Sequence, residues 1–185
     1  MKKISIRNAK FAKIGLQDMC DYINKHESTR SMCLVEIGCY VGDSTEIFSK
    51  NFEFVFAIDP WQNGYDDKDA ASFQIDMSIV EKQFNMLCKE SGNICKIKAK
   101  SEIAVEKFID YTVDVVYIDG LHTYDGVKND IKMWLPKVKQ YGFICGHDYG
   151  SKHFPGVKQA VDEHFGKYDI KTFSDSSWLV KLDEL

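Results

Sequence analysis

The chain has 185 residues, of which 44% are apolar and 28% charged. This globular composition excludes disordered, collagen-like and low-complexity chains, and the length predicts one domain spanning residues 1–185, with residues 1–30 as a helical extension. The net charge of −4 argues against a broad surface for nucleic acid.

No segment has the pattern of a targeting or membrane-spanning element. The basic N-terminus, Met1–Asn8, is not followed by the apolar run of a signal peptide. No apolar stretch approaches the ~18 residues of a transmembrane helix. The six cysteines include no Cys-x-x-Cys pair, which disfavours a zinc or disulfide framework. We therefore expect a cytoplasmic protein without membrane contacts.

The first 75 residues predict two strands, each preceded by a helix and followed by polar chain. Apolar residues at helical spacing between 16 and 23 predict an N-terminal helix. The apolar runs 33–38 and 54–59 predict buried strands, with a short helix at 44–50 between them. The polar segment from Pro60 to about Ile75 is predicted to be a loop.

The rest of the chain continues the alternation of helical and strand patterns. Ser101, followed by Glu102, predicts a helix start with the serine as N-cap. Pro136 ends the predicted helix 127–135. The remaining predicted helices are 80–88, 127–135 and 157–165, and the remaining strands are 94–99, 113–120, 143–147, 170–173 and 178–181.

This order of elements predicts an α/β fold with a particular sheet. Continuous apolar strands alternating with helices indicate a Rossmann-like parallel sheet flanked by helices on both faces. The last two strands are joined only by Ser174–Ser177, which is too short for a crossover helix. We therefore expect the sheet to end in a C-terminal antiparallel hairpin.

Polar residues at three strand ends indicate a nucleotide-type site. Gly38, Asp59 and Asp119 follow apolar runs, and the carboxyl edge of a parallel sheet is where ligands bind. Gly38 and Gly42 permit a tight turn, and Asp59 is placed to accept both hydroxyls of a ribose. Tyr40 replaces the glycine that admits a pyrophosphate, which disfavours an NAD-dependent oxidoreductase. A cofactor with a ribose and an adenine but no pyrophosphate, S-adenosylmethionine, fits this pattern.

Three segments resemble those of known methyltransferases. Val35–Thr45 resembles motif I of class I S-adenosylmethionine-dependent methyltransferases. Ile118–Val127 and Gly142–Tyr149 are similar to the signature of a subgroup containing macrocin and other sugar O-methyltransferases and cephalosporin-hydroxylase-like proteins. The resemblance covers roughly residues 30 to 181. It implies a seven-stranded fold and methyl transfer to a hydroxyl of a small molecule such as a sugar or glycosylated metabolite.

The resemblance also implies which residues contact the cofactor. Glu36, Gly38 and the backbone near Cys39 and Tyr40 would line the methionine part of the cofactor, and Asp119 would face the methionine end or a metal. Asp59 would hold the ribose. Pro60 and Trp61 would flank the adenosine, and Ser101 would lie near the adenine edge.

Carboxylate and imidazole groups follow the fourth and fifth predicted strands. Asp119, His122, His147 and Asp148 suit either a divalent cation or a general base. Methyl transfer needs a positioned, deprotonated acceptor, and Mg²⁺ would lower the pKa of its hydroxyl. The resemblance implies a metal on Asp119 and Asp148, with His122 or His147 nearby to take the proton.

One departure from the family keeps a second hypothesis open. Relatives commonly carry a second carboxylate where this chain has Leu121. The chain could therefore be a protein with this fold that binds S-adenosylmethionine without turnover.

The acceptor surface is less defined by the sequence. The short chain predicts an open acceptor site, completed by loops or by a second subunit of a homodimer. The polar group Tyr65, Asp66, Asp67 and Asp69 is predicted to be a solvated loop and not a metal site.

Overall fold

The computed structural model describes residues 10–66 and 71–182, together with Ile4 and Asp69. Asp67 and most of the residues before Lys10 lie outside this part, so the predictions made for them have no structural counterpart here. The described strands are β1 (Cys33–Ile37), β2 (Phe54–Asp59), β3 (Ile94–Lys98), β4 (Val113–Ile118), β5 (Val138–Gly146), β6 (Lys171–Thr172) and β7 (Trp178–Lys181). The described helices are α1 (Lys10–His26), α2 (Asp43–Asn51), α3 (Ala71–Gln74), α4 (Met77–Ser91), α5 (Ser101–Ala104), α6 (Tyr124–Trp134) and α7 (Pro155–Phe165).

The described strands form one sheet in the order β3-β2-β1-β4-β5-β7-β6. The pairs from β3 to β5 are parallel, whereas β7 is antiparallel to both β5 and β6. This confirms the predicted parallel sheet with a C-terminal hairpin. The chain winds away from β1 in both directions, so the switch point of the sheet lies between β1 and β4. In such sheets the ligand crevice opens beyond the carboxyl ends of the strands at that point.

The helices cover both faces of the sheet because successive strand residues point to opposite sides. Val35 of β1 enters a core formed with α5, α6 and α7, while its neighbour Leu34 enters a core formed with α1 and α2. A third apolar cluster surrounds Phe84 of α4 and includes the side chain of Trp61.

Four predicted elements differ from the structure. The strand predicted over residues 143–147 is β5, which begins five residues earlier, at Val138. The segment from Pro60 to Ile75 is not all loop, because it contains the single-turn helix α3. The strand predicted over residues 170–173 is only β6, two residues long. Ser101 is not an N-cap: Lys100 holds that position, and the Ser101 hydroxyl donates instead to the buried carboxylate of Asp130. The Ser101 hydroxyl therefore bonds to a residue distant in sequence instead of capping its own helix.

Helix α1 packs against the sheet and against the turn that precedes β7. Leu16 and Ile23 are fully buried, as their spacing predicts. A side chain at Gly15 would place its Cβ 2.5 Å from the backbone nitrogen of Asp175, so the helix reaches this turn only because the position is glycine. None of the described helices is both long and apolar enough to cross a membrane.

We expect Gly15→Ala to destabilise the protein by about 1–3 kcal/mol, although alanine favours helix formation, because the added carbon overlaps the Asp175 turn. The free energy of unfolding in urea measures this. The control is Asp18→Ala at an exposed position of the same helix, which should be neutral or slightly stabilising. A Gly15→Ala variant more stable than the parent would show that the close contact does not form.

Candidate active site

Backbone hydrogen bonds continue the sheet one residue beyond its strands and align the candidate site residues. The amide of Gly38 donates to the carbonyl of Ile58 at 2.8 Å, and the amide of Asp119 donates to that of Ile37 at 2.8 Å. The amide of His147 likewise donates to the carbonyl of Ile118, the last residue of β4, at 3.1 Å. Gly38, Asp119 and His147 therefore lie side by side at one edge.

The turn after β1 has the conformation that its glycines predict. Gly38 has φ +85°, and a Cβ there would lie 2.0 Å from the carbonyl oxygen of Asp119. Only glycine permits so close an approach of the first and fourth strand ends. Gly42 has φ +93° and immediately precedes α2, and Tyr40 between them also has a positive φ, of 45°.

A cavity of about 510 Å³ opens beyond this edge. Among the sequence-predicted residues, Gly38, Tyr40, Asp59, Ser101, Asp119, His122, His147 and Asp148 line it. Its lining is rich in carboxylates and, among the described residues, contains no lysine or arginine. The aspartates of the wall are Asp59, Asp66, Asp69, Asp119, Asp130, Asp148 and Asp175.

Asp59 lies at the end of β2, and its two oxygens accept backbone amides from different turns. Oδ2 accepts the amide of Tyr40 at 2.9 Å, and Oδ1 accepts the amide of Trp61 at 2.6 Å. Burial raises the pKa of Asp59, and the two amides offset part of that rise. Each carboxylate oxygen has a second lone pair, so the group can still accept hydroxyls from a ligand.

Glu36, a predicted cofactor residue, is not in the cavity wall. It is fully buried, and its carboxylate accepts the hydroxyls of Ser44 and Thr45, the latter at 2.5 Å. These bonds hold the first turn of α2 against β1. In the described structure Glu36 therefore fixes the helix that follows the glycine turn.

The side chains of Cys39 and Trp61 also point away from the cavity. Both belong to the apolar cluster around Phe84, and the Trp61 indole lies 4.9 Å from that ring. The indole Nε1 donates to the carbonyl of Tyr40 at 2.8 Å. Trp61 thus supports the glycine turn from behind, while its backbone amide holds Asp59.

Asp119, His122 and Asp148 form a cluster with the composition of a cation site. One ligand atom from each lies within 4.8 Å of the others. His122 Nε2 is 3.6 Å from Asp119 Oδ1 and 3.3 Å from Asp148 Oδ2. His147 Nδ1 lies 3.2 Å from the same Asp148 oxygen. Burial acts to raise the pKa of Asp148, but the two histidines hold it below its usual value.

The His122 ring is fixed from two loops. Asp66 Oδ2 accepts both the backbone amide of His122, at 3.0 Å, and its ring Nδ1, at 2.6 Å. Phe154 stacks on the ring with 4.2 Å between centroids. Burial acts against a charged imidazole, but Asp119, Asp148 and Asp66 outweigh it and raise the pKa of His122 to about 12. His122 Nε2 is therefore aimed at the two carboxylates of the cluster.

Asp66 was predicted to lie in a solvated loop, and that prediction is wrong. The residue is only 5% exposed, because its carboxylate is enclosed between its own loop and His122. The local sequence is polar and rich in acids, so it carries no signal of this contact.

Asp130 is a second cavity residue that the sequence interpretation did not include. It is 4% exposed, and its Oδ1 accepts the Ser101 hydroxyl at 2.5 Å. The Trp134 indole in turn donates to the Ser101 oxygen at 2.8 Å. Burial raises the pKa of Asp130 to about 7, and the serine donor only partly opposes this. A signal was present, because Asp130 falls on the apolar face of α6 that also carries Val127.

The strand order, parallel from β3 to β5 with β7 antiparallel between β5 and β6, is that of the class I methyltransferase fold that the sequence motifs predicted. A family model described as "Methyltransferase domain" matches residues 35–149, and the chain belongs to that family. Its structure is similar to that of the O-methyltransferase NovP, with a TM-score of 0.67 at 17% identity over 98% of this chain and 81% of that one. The calicheamicin methyltransferase CalS11 gives a TM-score of 0.68 at 10% identity over 95% of this chain and 81% of that one.

A caffeoyl-CoA O-methyltransferase-like structure from Staphylococcus aureus has the same fold, with a TM-score of 0.66 at 13% identity over 92% of this chain and 83% of that one. Among curated proteins, the uncharacterized protein y4gI of Sinorhizobium fredii is 26% identical in an alignment of 121 residues that covers 62% of this chain. The match spans only 13% of the length of that protein.

We expect Asp66→Ala to destabilise the protein by about 2 kcal/mol, because two His122 donors lose their buried acceptor. Hydrogen exchange of the His122 amide should accelerate more than that of neighbouring amides. Asp66→Asn keeps an acceptor oxygen, so its stability and its exchange rate at His122 should lie between those of the parent and of Asp66→Ala. Unchanged exchange at His122 in the alanine variant would contradict this arrangement.

We expect Asp130→Asn to stabilise the protein increasingly as the pH rises. Because the pKa of Asp130 is about 7 in the fold and near 4 when unfolded, folding opposes its ionisation. The gain should be absent below pH ~4, grow between pH ~4 and ~7, and approach at most about 4 kcal/mol above that range. Thermal and urea unfolding from pH 4 to 8 measure it.

The matched control is Asp125→Asn, an exposed aspartate on the same helix. Its effect should be small at every pH. If Asp130→Asn were destabilising throughout, the hydrogen bond from Ser101 would outweigh the burial of the charge.

Proposed function

We propose that this methyltransferase domain binds S-adenosylmethionine in the cavity and transfers its methyl group to a hydroxyl of a small molecule. The observation that best supports this is the sign of the cavity's charge. Among the described residues of the wall there are seven aspartates and no lysine or arginine, a charge that favours a sulfonium cation and a divalent metal. The same wall would repel the pyrophosphate of a dinucleotide, which argues against the oxidoreductase alternative.

The donors and acceptors of the cavity fit this cofactor. Asp59 would hold the ribose hydroxyls with the lone pairs that its two backbone amides leave. The Tyr40 hydroxyl is buried and has no hydrogen-bond partner among the described residues, so a polar group of the ligand could satisfy it. The cavity volume is within the range usual for small-molecule sites. When bound, S-adenosylmethionine supplies an electrophilic methyl group on its sulfur.

The cluster of Asp119, His122 and Asp148 fits a divalent cation such as Mg²⁺, which would supply positive charge to lower the pKa of the acceptor hydroxyl. In this proposal His122 takes the role that the resemblance gives to a second carboxylate at the position of Leu121, and its Nε2 would lose its proton when the cation binds. Asp66 and Phe154 hold the ring with this nitrogen facing the two carboxylates.

His147 is the better candidate for taking the acceptor's proton. His122 has Nδ1 committed to Asp66, and its Nε2 faces two carboxylates. The His147 ring lines the same cavity, with Nδ1 3.2 Å from Asp148 and 3.8 Å from Asp119 and with Nε2 4.0 Å from Asp175. None of these distances is as short as the 2.6 Å between His122 Nδ1 and Asp66. We therefore propose that His122 is a ligand of the cation and that His147 takes the acceptor's proton.

A sugar or glycosylated metabolite is our proposal for the acceptor. CalS11, which shares the fold, is described as a TDP-rhamnose 3′-O-methyltransferase. A single domain, a cytoplasmic location, a homodimer and the absence of nucleic-acid partners remain predictions.

Isothermal titration with S-adenosylhomocysteine tests the cofactor assignment. The unaltered chain should bind, and Asp59→Ala should weaken binding on the order of 100-fold, because hydrogen bonds to a charged group are lost. Asp18→Ala, exposed on α1, should bind like the parent. If the parent chain bound neither S-adenosylmethionine nor S-adenosylhomocysteine, the proposal would be wrong.

The cation site is tested by titrating Mn²⁺ and following its electron paramagnetic resonance signal. Asp148→Asn should weaken Mn²⁺ binding at least about tenfold, since it removes a ligand charge, whereas Asp125→Asn should not. Methyl transfer to a panel of sugar hydroxyls should then require the cation. Cofactor binding without transfer to any of these acceptors would favour the binding protein that lacks turnover.

A further inference from the structure

Asp130 is a buried carboxylate that the proposed reaction does not use. Its Oδ1 accepts the hydroxyl proton of Ser101, whose oxygen accepts the indole N–H of Trp134. The indole nitrogen can only donate, and the serine has a single proton. The chain of bonds therefore runs in one direction and ends at the carboxylate as an acceptor.

The second oxygen of Asp130 is left for another donor. Among the described residues, the Ser101 hydroxyl provides its one hydrogen bond. Oδ2 lies 3.7 Å from the point where a Cβ of Gly120 would be, so it faces bare backbone. Burial raises the pKa of Asp130 to about 7, as expected of a carboxylate with too few donors.

This carboxylate bonds to Ser101 on the β3 side of the cavity, and its Oδ2 faces Gly120, the residue after Asp119 of the cation cluster. Ser101 begins the helix after β3, whereas Asp148 follows β5 on the other side of β1. Ala99, two residues before Ser101, donates its amide to the carbonyl of Asp59 at 3.2 Å. This bond places the segment that carries Ser101 beside the proposed ribose site. The base attached to a ribose at Asp59 would therefore extend toward Ser101 and Asp130.

The lining on this side of the cavity is suited to a flat heterocycle. Ile58, Pro60 and Ala99 contribute apolar surface to the cavity, and Asp130 contributes a buried acceptor to the same lining. An acceptor in an apolar slot selects a ring that carries a donor at the matching edge, because a ring with an acceptor there would leave two lone pairs facing each other.

We propose that Asp130 determines which base the cofactor site accepts, with its Oδ2 accepting a hydrogen bond from the 6-amino group of adenine. This inference rests on the proposed function. It differs from a role in the core alone, in which Asp130 would only hold Ser101 in place.

The test is isothermal titration with two ligands, S-adenosylhomocysteine and S-inosylhomocysteine, in which a carbonyl oxygen replaces the 6-amino group. At a pH well above the Asp130 pKa of about 7, the unaltered chain should prefer the adenosine compound by about 10- to 100-fold, as expected for one hydrogen bond to a charged group. In Asp130→Asn the preference should vanish or reverse. Ser101 would hold the amide oxygen in place of Oδ1, so the amide N–H₂ would face the ligand and donate to the inosine carbonyl.

The controls separate specificity from folding and from the proposed function. Asp125→Asn, exposed on the same helix, should keep the adenine preference, and thermal melts should show that Asp130→Asn is folded. If Asp130→Asn changed both affinities equally, or neither, the base-reading role would be wrong while the cofactor assignment stood. If the unaltered chain bound neither compound, the proposed function would fail and this inference with it.

Discussion

The candidate site depends on the close approach of two strand ends at the switch point of the sheet. Gly38 has no side chain where a Cβ would lie 2.0 Å from the carbonyl of Asp119. The ladder of backbone bonds therefore continues past β1 and β4 without a gap, and the residues after each strand stay in register. Any larger residue at Gly38 would separate the cofactor side of the cavity, at Asp59, from the cation side, at Asp119.

That alignment concentrates negative charge, and the fold compensates for it in different ways at different carboxylates. Near the cation cluster, His122 and His147 lie among Asp119, Asp148 and Asp175 and lower the pKa of Asp148. Elsewhere in the lining, burial raises the pKa of both Asp59 and Asp130. The carboxylates near the cation cluster thus have histidines beside them, whereas Asp59 and Asp130 have only neutral hydrogen-bond donors in the described part of the chain. Such an unequal distribution is typical of functional sites, where perturbed groups gather.

The sequence was informative where function lies at strand ends and uninformative where it depends on tertiary contacts. Gly38, Asp59, Asp119 and Asp148 follow strands whose apolar pattern is unmistakable, so their meeting at one edge could be predicted from topology alone. Asp66 could not be predicted, because it belongs to an acidic loop and becomes buried only by contact with His122. Position in a sheet is encoded locally, but the folding of a loop onto the sheet is not.

Asp130 is the intermediate case. An aspartate within the apolar face of α6 is a visible conflict between pattern and chemistry, and such conflicts mark functional positions more often than core ones. The sequence shows that a carboxylate falls on an apolar helix face, but it does not show which residue bonds to that carboxylate. Ser101 was predicted to cap a helix from its position in the chain, and its inward hydrogen bond to Asp130 became apparent only in the fold.

The residues transferred from the family by position divide into two layers that motif matching does not distinguish. Asp59 and Asp119 line the cavity, whereas Glu36 and Trp61 lie behind it and hold the glycine turn through Ser44, Thr45 and the Tyr40 carbonyl. Asp59 belongs to both layers, since it accepts two backbone amides while it faces the cavity. A carboxylate that is already anchored to the backbone meets its ligand in a fixed orientation, so little ordering remains to be done on binding.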